Sequence, residues 1–414
     1  MVAADERPAD ALAHIDEFGP GITVRCGEAL PDATDFDLVV PSPGIPRERY
    51  AARARQVCGD IELTYRAIQV PVVAVTGTNG KSTTTVLLQA LLESAGLRAA
   101  AAGNLGEPSL SLVGKPLDIA VLEVSSFQLE AVDLFRPAVA VVLNITPDHL
   151  DRHGSLHAYT EAKARILEAQ TATDAAVLNA DDPLVRPFAE RTAGRVFFFS
   201  RQQPQEQGAW IEGGDVLLND GRQVRRVGLR DLPLAGHHNR DNAAMALCAV
   251  LALGADIDQA AAALPRFRGL PHRAEVVAEM NGVRFIDDSK ATNPGAAARA
   301  LEGHDGRVVW IAGGRDKGLD FAPLGPPASR YVRTALLIGE AAGALDASLP
   351  ADVARERCAT LEDAVTRAGD LAESGDVVLL APACASFDQF RDFAERGLAF
   401  QRAAAAVSKV RGAR

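Results

Sequence analysis

One short stretch, residues 73–96 (VAVTGTNGKSTTTVLLQALLESAG), does most to limit how this chain folds. An apolar run leads into Gly77 and Gly80, a Lys-Ser pair follows at once, and leucines then recur at helical spacing. This pattern predicts a buried strand, a tight turn and a helix N-terminus, whose backbone N–H groups bind phosphate. The usual motif has a glycine five positions before Gly80, where this chain has Val75.

The rest of the chain alternates short β-rich runs with helical stretches rich in Ala and Leu. The β-rich runs are apolar at nearly every residue, which is typical of parallel strands covered by helices on both faces. We therefore expect an α/β fold. The predicted strands are DLVV (37–40), VVAVTG (72–77), DIAVLEV (118–124), AVAVVLNI (138–145), AAVLNA (175–180), VFFF (196–199), VRFIDD (283–288), RVVWIAGG (307–314), TALLIG (334–339) and DVVLLAP (376–382).

Two polar stretches divide this series of strands and helices. Residues 59–71 precede the strand that leads to the glycine turn, and residues 265–277 separate a buried helix from a new strand–helix series. We expect three domains, 1–62, 63–269 and 270–414, of which the first is short for an independent domain. Within the middle domain, residues 201–232 are more polar and predict a small hairpin layer.

Charge and cysteine content limit the partners and the compartment. Lys and Arg total 43 against 54 Asp and Glu, a net charge of −11, which disfavours nucleic acid and anionic membranes as partners. The five cysteines are widely spaced, as expected of reduced thiols. The longest apolar run (243–255) is shorter than the ~20 residues of a membrane span, and the polar N-terminus is unlike a signal peptide. We expect a soluble, cytoplasmic protein.

Four side chains near the glycine turn are candidates for binding phosphate and metal. Lys81 would place a positive charge on the β and γ phosphates, and the Ser82 hydroxyl would bind Mg²⁺. Glu123 ends one predicted strand and His149 follows the next. Because α/β sheets bind ligands at the carboxyl ends of their strands, we expect these groups to share one edge of the sheet.

Lys163 is unusual because it falls within the apolar stripe of the predicted helix LHAYTEAKARIL (156–167). Its stem could pack on the core while its ammonium reaches solvent, and periodicity alone favours that interpretation. Alternatively, desolvation makes the amine neutral. A neutral amine can add CO₂ to give a carbamate, an oxygen ligand suited to Mg²⁺.

The last third of the chain repeats one arrangement three times. One predicted strand runs into Asp287, and a second is followed by a Gly-rich turn that contains Lys317. A third is followed by Ser386, which is placed to cap a helix. Lysines and helix N-termini gathered at strand ends predict a pocket for a small acidic molecule. No GxSxG motif and no Ser-His-Asp pattern stand out, which argues against a nucleophilic hydrolase.

An ordered set of motifs resembles the Mur ligases over nearly the whole chain. The motifs are GTNGKST, GNLG, EVSSFQLE, NITPDHLDRH, YTEAKARIL, GHHNRDN, GLPHR, DDSKATNP, GGRDKG and APACASFDQF. SSFQLE, DSKATN and SFDQF resemble most closely the family member that adds glutamate.

The resemblance implies a three-domain Mur ligase architecture. It comprises a Rossmann-like N-terminal domain, a central P-loop ATPase domain with a parallel sheet, and a Rossmann-like C-terminal domain. It also implies a monomer that binds ATP and two Mg²⁺ ions. ATP would phosphorylate the carboxylate of UDP-N-acetylmuramoyl-L-alanine, and the amine of glutamate would then displace phosphate from the acyl phosphate.

The resemblance also assigns roles to matched positions. The implied ATP-binding residues are Gly77, Thr78, Asn79, Gly80, Lys81, Ser82, Thr83, Asn239, Asn242, Arg273 and Asp288. The implied metal ligands are Ser82, Glu123, His149 and carbamylated Lys163, and the implied catalytic residues are Lys81, Glu123, His149 and Lys163. Ser126 and His149 are implied to bind substrate. The residues implied for the nucleotide-sugar are Ser42, Gly44 and Asn104, and those implied for glutamate are Lys290, Thr292, Lys317, Ser386 and Phe393.

The N-terminus departs from the family pattern. Family members open with a βαβ unit, whereas this chain begins with AADERPADAL (3–12), which resembles the segment after the second strand of that unit. We therefore expect about thirty residues to be missing from a truncated first domain. Two alternatives remain open: a related ATP-dependent ligase of the folylpolyglutamate synthetase type, and a nucleotide-binding protein without catalysis.

Overall fold

The N-terminal region carries a small parallel sheet. A computed structural model describes residues 1–12, 15–230, 232–234, 236–304, 307–316 and 318–412. Strands β1 (Val2–Asp5) and β2 (Thr23–Cys26) pair in parallel. The strand predicted over 37–40 is wrong: Val39 forms only an isolated bridge to Val57. The side chains on either side of Val39 face solvent, and a proline follows at position 41, so this run lacks a partner strand.

The central region is a nine-stranded sheet in the order β11-β10-β9-β8-β7-β6-β3-β5-β4. Strands β3 to β9 pair in parallel, and β9, β10 and β11 pair in antiparallel fashion. The antiparallel edge is the hairpin layer predicted over 201–232. The strands are β3 (Val72–Thr76), β4 (Ala99–Gly103), β5 (Ile119–Glu123), β6 (Val139–Val142), β7 (Ala175–Asn179), β8 (Arg195–Ser200), β9 (Gly208–Glu212), β10 (Asp215–Asn219) and β11 (Val224–Gly228).

Helices cover both faces of this sheet, which explains why its central strands are apolar at nearly every residue. In β3, Val73 and Val75 pack into one core, whereas Val72 and Ala74 pack into the core on the opposite face. The helices of this region are α1 (Asp60–Ala67), α2 (Lys81–Ser94), α3 (Ser126–Leu129), α4 (Leu150–His153), α5 (Leu156–Ala164), α6 (His237–Leu253) and α7 (Ile257–Ala261).

A buried carboxylate attaches α1 to the central sheet. Glu62 is fully buried, and its carboxylate accepts hydrogen bonds from the backbone N–H groups of Asp133, Leu134 and Phe135. The same carboxylate is paired with Arg66 at 2.7 Å. The proposed boundary at residue 62 therefore falls inside a helix that is bonded to the central region.

The C-terminal region is a six-stranded sheet in the order β12-β13-β17-β14-β15-β16, with β12 antiparallel at the edge. Its strands are β12 (Glu275–Met280), β13 (Val283–Asp287), β14 (Val308–Gly313), β15 (Val332–Ile338), β16 (Arg355–Arg357) and β17 (Val377–Leu380). Its helices are α8 (Pro294–Leu301), α9 (Gly325–Tyr331), α10 (Ala342–Ser348), α11 (Leu361–Leu371) and α12 (Phe393–Gly412). Among the described residues, no helix has both the length and the apolar character needed to cross a membrane.

Candidate active site

The glycine turn between β3 and α2 has the backbone that the sequence predicts. Gly77 and Gly80 have φ of +149° and +86°, in the region that favours glycine. A Cβ on Gly80 would lie 2.5 Å from Oδ1 of Asn242, so the turn packs directly against α6. Gly80 caps α2 without a side-chain hydrogen bond, which leaves the first N–H groups of the helix able to bind an anion.

Two lysines converge on one carbonyl oxygen of this turn. The oxygen of Gly77 accepts hydrogen bonds from Nζ of Lys81 at 3.0 Å and from Nζ of Lys163 at 2.9 Å. Lys163 is 1% exposed, and its Nζ lies 4.6 Å from the centre of the Tyr159 ring. The snorkelling arrangement that periodicity favours is therefore wrong, because the amine ends inside the protein rather than in solvent.

Burial and charge together favour the neutral form of Lys163. Burial holds the pKa of Lys163 well below 10.5, and the positive charge of Lys81 lowers it further. Burial also lowers the pKa of Lys81, but the carboxylate of Glu123 opposes that shift. Of the two amines on the Gly77 oxygen, that of Lys163 is the one that loses its proton more readily.

Glu123, at the end of β5, presents a carboxylate oxygen that is suited to a cation. The residue is 2% exposed, and its Oε1 accepts a hydrogen bond from Nδ2 of Asn104 at 2.9 Å. Its Oε2 is buried and has no hydrogen-bond partner among the described residues. A buried, partnerless carboxylate oxygen is unfavourable unless a cation approaches it.

Ser82 connects the glycine turn to the C-terminal region. Its hydroxyl accepts a hydrogen bond from Nη2 of Arg273 at 2.7 Å. A second link joins the regions, since Nδ2 of Asn293 lies 3.4 Å from Oδ2 of Asp148. The space in front of the glycine turn is therefore a cleft between the two large sheets.

This cleft, counted with its opening to solvent, has a volume of about 560 Å³, and most of the residues that are predicted to bind ATP line it. Burial raises the pKa of Asp288 to about 7, because the charged carboxylate is partly removed from water there. His238 and Arg299, which the sequence analysis did not single out, also line the cleft. The predicted residues in the lining are Asn79, Gly80, Thr83, Asn239, Asn242, Arg273, Asp288 and Lys290.

A buried cluster fixes the backbone on either side of Arg273. Nδ1 of His272 lies 2.7 Å from Oδ2 of Asp287, and Nε2 of Gln401 donates to the same oxygen at 3.1 Å. His272 has a φ of +61°, a strained value that this buried bond helps to hold. His272, Glu275 and Asp287 are also close enough to share a metal, but their mutual hydrogen bonds account for their proximity.

His149 lies near the predicted metal residues without touching them. Its backbone has a φ of +53°, and its side chain is 51% exposed. The ring packs 5.0 Å from that of Phe127, and Nε2 lies 3.7 Å from a carboxylate oxygen of Asp148. Among the described residues, no hydrogen bond, ion pair or ring contact joins His149 to Glu123 or Lys163.

Four of the predicted substrate-binding residues lie just after β4 and β5 and in the N-terminal region. Ser126 is buried at the start of α3, and its hydroxyl is hydrogen-bonded to Nε2 of His153 at 3.0 Å. Asn104 is exposed at the surface. Ser42 and Gly44 lie on an exposed turn, where the oxygen of Ile45 is 3.5 Å from a guanidinium nitrogen of Arg152.

The predicted glutamate residues lie at the strand ends of the C-terminal sheet. Nζ of Lys290 lies 3.9 Å from the centre of the Phe393 ring, and Ser386 is 2% exposed. Thr292 donates its backbone N–H to the carbonyl oxygen of Lys290 at 2.8 Å. Lys317 lies outside the described residues.

Arg396 of α12 holds these strand ends together. Its side chain is 1% exposed, and burial lowers its pKa to about 10. Its guanidinium donates to backbone carbonyl oxygens at the end of β14 and in the loops after β13 and β17, at 2.9–3.5 Å. Those oxygens belong to Ser289, Gly313, Cys384 and Ala385.

Comparison with known proteins identifies the family. Residues 75–250 match the Mur ligase middle domain, and residues 272–384 match the Mur ligase glutamate ligase domain. The chain is 43% identical to a UDP-N-acetylmuramoylalanine–D-glutamate ligase of Geobacter metallireducens, over 98% of this chain and 92% of that protein. A protein of the same name from Trichlorobacter lovleyi is also 43% identical, over 97% and 92% of the two chains.

This chain belongs to the Mur ligase family. Solved structures agree in fold: a MurF ligase of Thermotoga maritima in complex with ADP has a TM-score of 0.64 at 19% identity, over 92% of this chain and all of that one. A pseudomurein peptide ligase type C of Methanothermus fervidus has a TM-score of 0.62 at 19% identity, over 92% and 91% of the two chains.

The sequence analysis missed two residues that organise this Mur ligase. His153 follows His149 by four positions, a helical spacing that places two histidines on one side of a helix. Arg396 falls in an apolar stripe with Phe393 and Phe400, the same pattern that drew attention to Lys163. A charged residue inside an apolar helical stripe is the signal that finds both Arg396 and Lys163.

Arg396→Met should destabilise this Mur ligase strongly, because the buried carbonyl oxygens of Ser289, Gly313 and Cys384 each lose a donor. Each orphaned buried acceptor costs about 1–3 kcal/mol, so we expect the free energy of unfolding to fall by at least about 3 kcal/mol. Chemical denaturation measures this change. Arg402→Met, at an exposed position on the same helix, is the matched control. Equal unfolding midpoints for the two variants would contradict the role given to Arg396.

Proposed function

We propose that this Mur ligase uses ATP to join the amine of D-glutamate to the carboxylate of UDP-N-acetylmuramoyl-L-alanine, a step of peptidoglycan synthesis. The observation that carries the proposal is the meeting of Lys81 and Lys163 at the Gly77 oxygen, in front of the uncapped start of α2. The names of its relatives supply the substrates and the D configuration of glutamate. These names do not support the alternative of a ligase of the folylpolyglutamate synthetase type.

The residues of the cleft suit phosphoryl transfer. An oxygen of the substrate carboxylate attacks the γ-phosphorus of ATP, and ADP leaves, which turns a poor electrophile into an acyl phosphate. The N–H groups of the glycine turn, Lys81 and Arg273 hold the phosphates and oppose the charge that gathers on them. The amine of glutamate then attacks the carbonyl carbon, loses a proton and displaces phosphate.

Magnesium fits the donor atoms around the turn. The buried Oε2 of Glu123 has no partner in the described part of the chain, and the Ser82 hydroxyl lies at the head of α2. Ser82 and Glu123 would hold one ion, and Glu123, His149 and carbamylated Lys163 a second. When bound, Mg²⁺ neutralises charge on the phosphate oxygens and orients them.

The surroundings of Lys163 support the proposal that it is carbamylated. The neutral amine attacks the carbon of CO₂, an N–C bond forms, and one proton leaves, so that an anionic carbamate replaces the amine. The positive charge of Lys81, on the same carbonyl oxygen, disfavours an ammonium at Lys163 and favours an anion there. The carbamate would add oxygen ligands where Mg²⁺ is expected.

The acidic amino acid would bind at the C-terminal strand ends. Lys290, held over Phe393, offers a positive charge to a carboxylate of glutamate, and we expect Lys317 to offer a second. Thr292 and Ser386 supply hydroxyl groups from the neighbouring loops. The loops that carry Ser386 and Lys290 are among those that Arg396 ties together. We propose that the enzyme acts as a cytoplasmic monomer.

Phosphate release tests this function directly. With ATP, Mg²⁺ and UDP-N-acetylmuramoyl-L-alanine, the purified protein should release phosphate when D-glutamate is added, and much less with L-glutamate. Mass spectrometry should detect the glutamyl product. Equal turnover of D- and L-glutamate would contradict the proposed stereochemistry. Phosphate release that does not depend on the nucleotide-sugar would contradict the proposed function as a whole.

Lys163→Ala should lower kcat by roughly 10²-fold or more, because an oxygen ligand and its charge are lost. A short carboxylate such as acetate, added to the buffer, should restore part of this loss by occupying the space of the carbamate. Lys115→Ala, at an exposed lysine that is 48% accessible, is the control and should remain active without acetate. An active Lys163→Ala enzyme, or one that no small carboxylate rescues, would contradict the carbamate.

A further inference from the structure

Ser126 and His153 form a buried polar pair beside the metal residues. The Ser126 hydroxyl is 3.0 Å from Nε2 of His153, and the histidine side chain is only 3% exposed. Two aromatic rings enclose the imidazole: Phe127 stacks on it at 5.3 Å with an interplanar angle of 23°, and Tyr159 lies at 5.2 Å. These two rings restrict the plane of the imidazole, and its Nε2 faces Ser126.

The other nitrogen of the ring faces a carboxylate. Nδ1 of His153 lies 3.4 Å from Oε1 of Glu130, and Oε2 of the same carboxylate is paired with Arg152 at 2.7 Å. A carboxylate only accepts hydrogen bonds, so it favours the tautomer with the proton on Nδ1. That tautomer leaves Nε2 as an acceptor, and the Ser126 hydroxyl must then donate its proton to it.

We propose that His153 is a positioning residue that turns the Ser126 hydroxyl so that its oxygen accepts a hydrogen bond from the nucleotide-sugar substrate. The inference rests on the proposed function and on the substrate-binding role that the family resemblance implies for Ser126. Because the hydroxyl proton is committed to His153, the lone pairs of Ser126 remain for a donor on the ligand. The amide N–H that joins the muramoyl group to alanine is a donor of this kind.

A second connection links this pair to the phosphate turn. The hydroxyl of Tyr159, whose ring packs on His153, is 3.1 Å from Oγ1 of Thr78 in the glycine turn. Lys163 lies over the same tyrosine ring. The imidazole thus sits between the substrate side of the site and its phosphate side. The effect of removing this imidazole must therefore be measured separately as KM for the nucleotide-sugar and as KM for ATP.

A double-mutant cycle tests the inference. His153→Phe preserves the aromatic packing against Phe127 and Tyr159 but removes the nitrogen that faces Ser126. We expect it to raise KM for UDP-N-acetylmuramoyl-L-alanine about tenfold, which corresponds to about 1.4 kcal/mol, while KM for ATP and for glutamate changes less than twofold. In a Ser126→Ala background, the same substitution should have no further effect, because the two residues act as one unit.

Two further variants distinguish a loss of the positioning role of His153 from a general loss of folding. His157→Phe, at an exposed histidine on α5, should leave all three KM values unchanged. His153→Gln can present an amide oxygen toward Ser126 and should recover part of the KM lost in His153→Phe. If His153→Phe does not fold, the cycle with His153→Gln against Ser126→Ala takes its place.

The possible failures are distinguishable. Multiplicative effects of the two substitutions, or an equal rise in KM for ATP, would overturn the positioning role of His153 while leaving the ligase function intact. A wild-type protein that does not turn over the nucleotide-sugar would overturn the proposed function, and with it this inference.

Discussion

The site depends on a single carbonyl oxygen, that of Gly77, on which two lysine amines converge. Two ammonium groups within hydrogen-bond distance of one oxygen repel each other, and burial makes that repulsion costly. The conflict is relieved when Lys163, the more deeply buried amine, becomes neutral. In the proposed mechanism, Lys81 then keeps its charge for phosphate and Lys163 becomes a nucleophile toward CO₂. The tight turn at Gly77 and Gly80 is what brings both amines to this place.

The C-terminal region is organised around helix α12 in a comparable way. Arg396 holds the loops of the predicted glutamate pocket, and Gln401, about one turn further along, bonds to Asp287 of the cluster that fixes His272. The backbone on either side of Arg273 is therefore set by the helix that also supports the amino-acid pocket. Arg273 in turn reaches Ser82 at the head of α2. One helix thus supports both the predicted nucleotide side and the predicted amino-acid side of the cleft.

Local sequence patterns predicted the parts of this protein that are determined locally. The glycine turn, the apolar central strands and the hairpin edge follow from residue type and spacing, and the structure has all three.

Contacts between distant segments were not predictable in this way. Periodicity placed Lys163 on the apolar face but could not say that Gly77 would accept its amine. The run at 37–40 looks like a strand, but only tertiary structure decides whether a partner strand lies beside it. The bond between His153 and Ser126 joins residues 27 positions apart, and nothing in either segment alone indicates it.

The central claim is that Lys163 is neutral and takes up CO₂, and ¹³C NMR of the protein equilibrated with ¹³C-bicarbonate and Mg²⁺ measures this most directly. Wild-type protein should show one carbamate carbon signal in addition to bicarbonate and dissolved CO₂. The signal should persist in Lys115→Ala and disappear in Lys163→Ala. A wild-type spectrum without a carbamate signal at saturating bicarbonate, or a signal that survives in Lys163→Ala, would contradict the account of two lysines on one carbonyl oxygen.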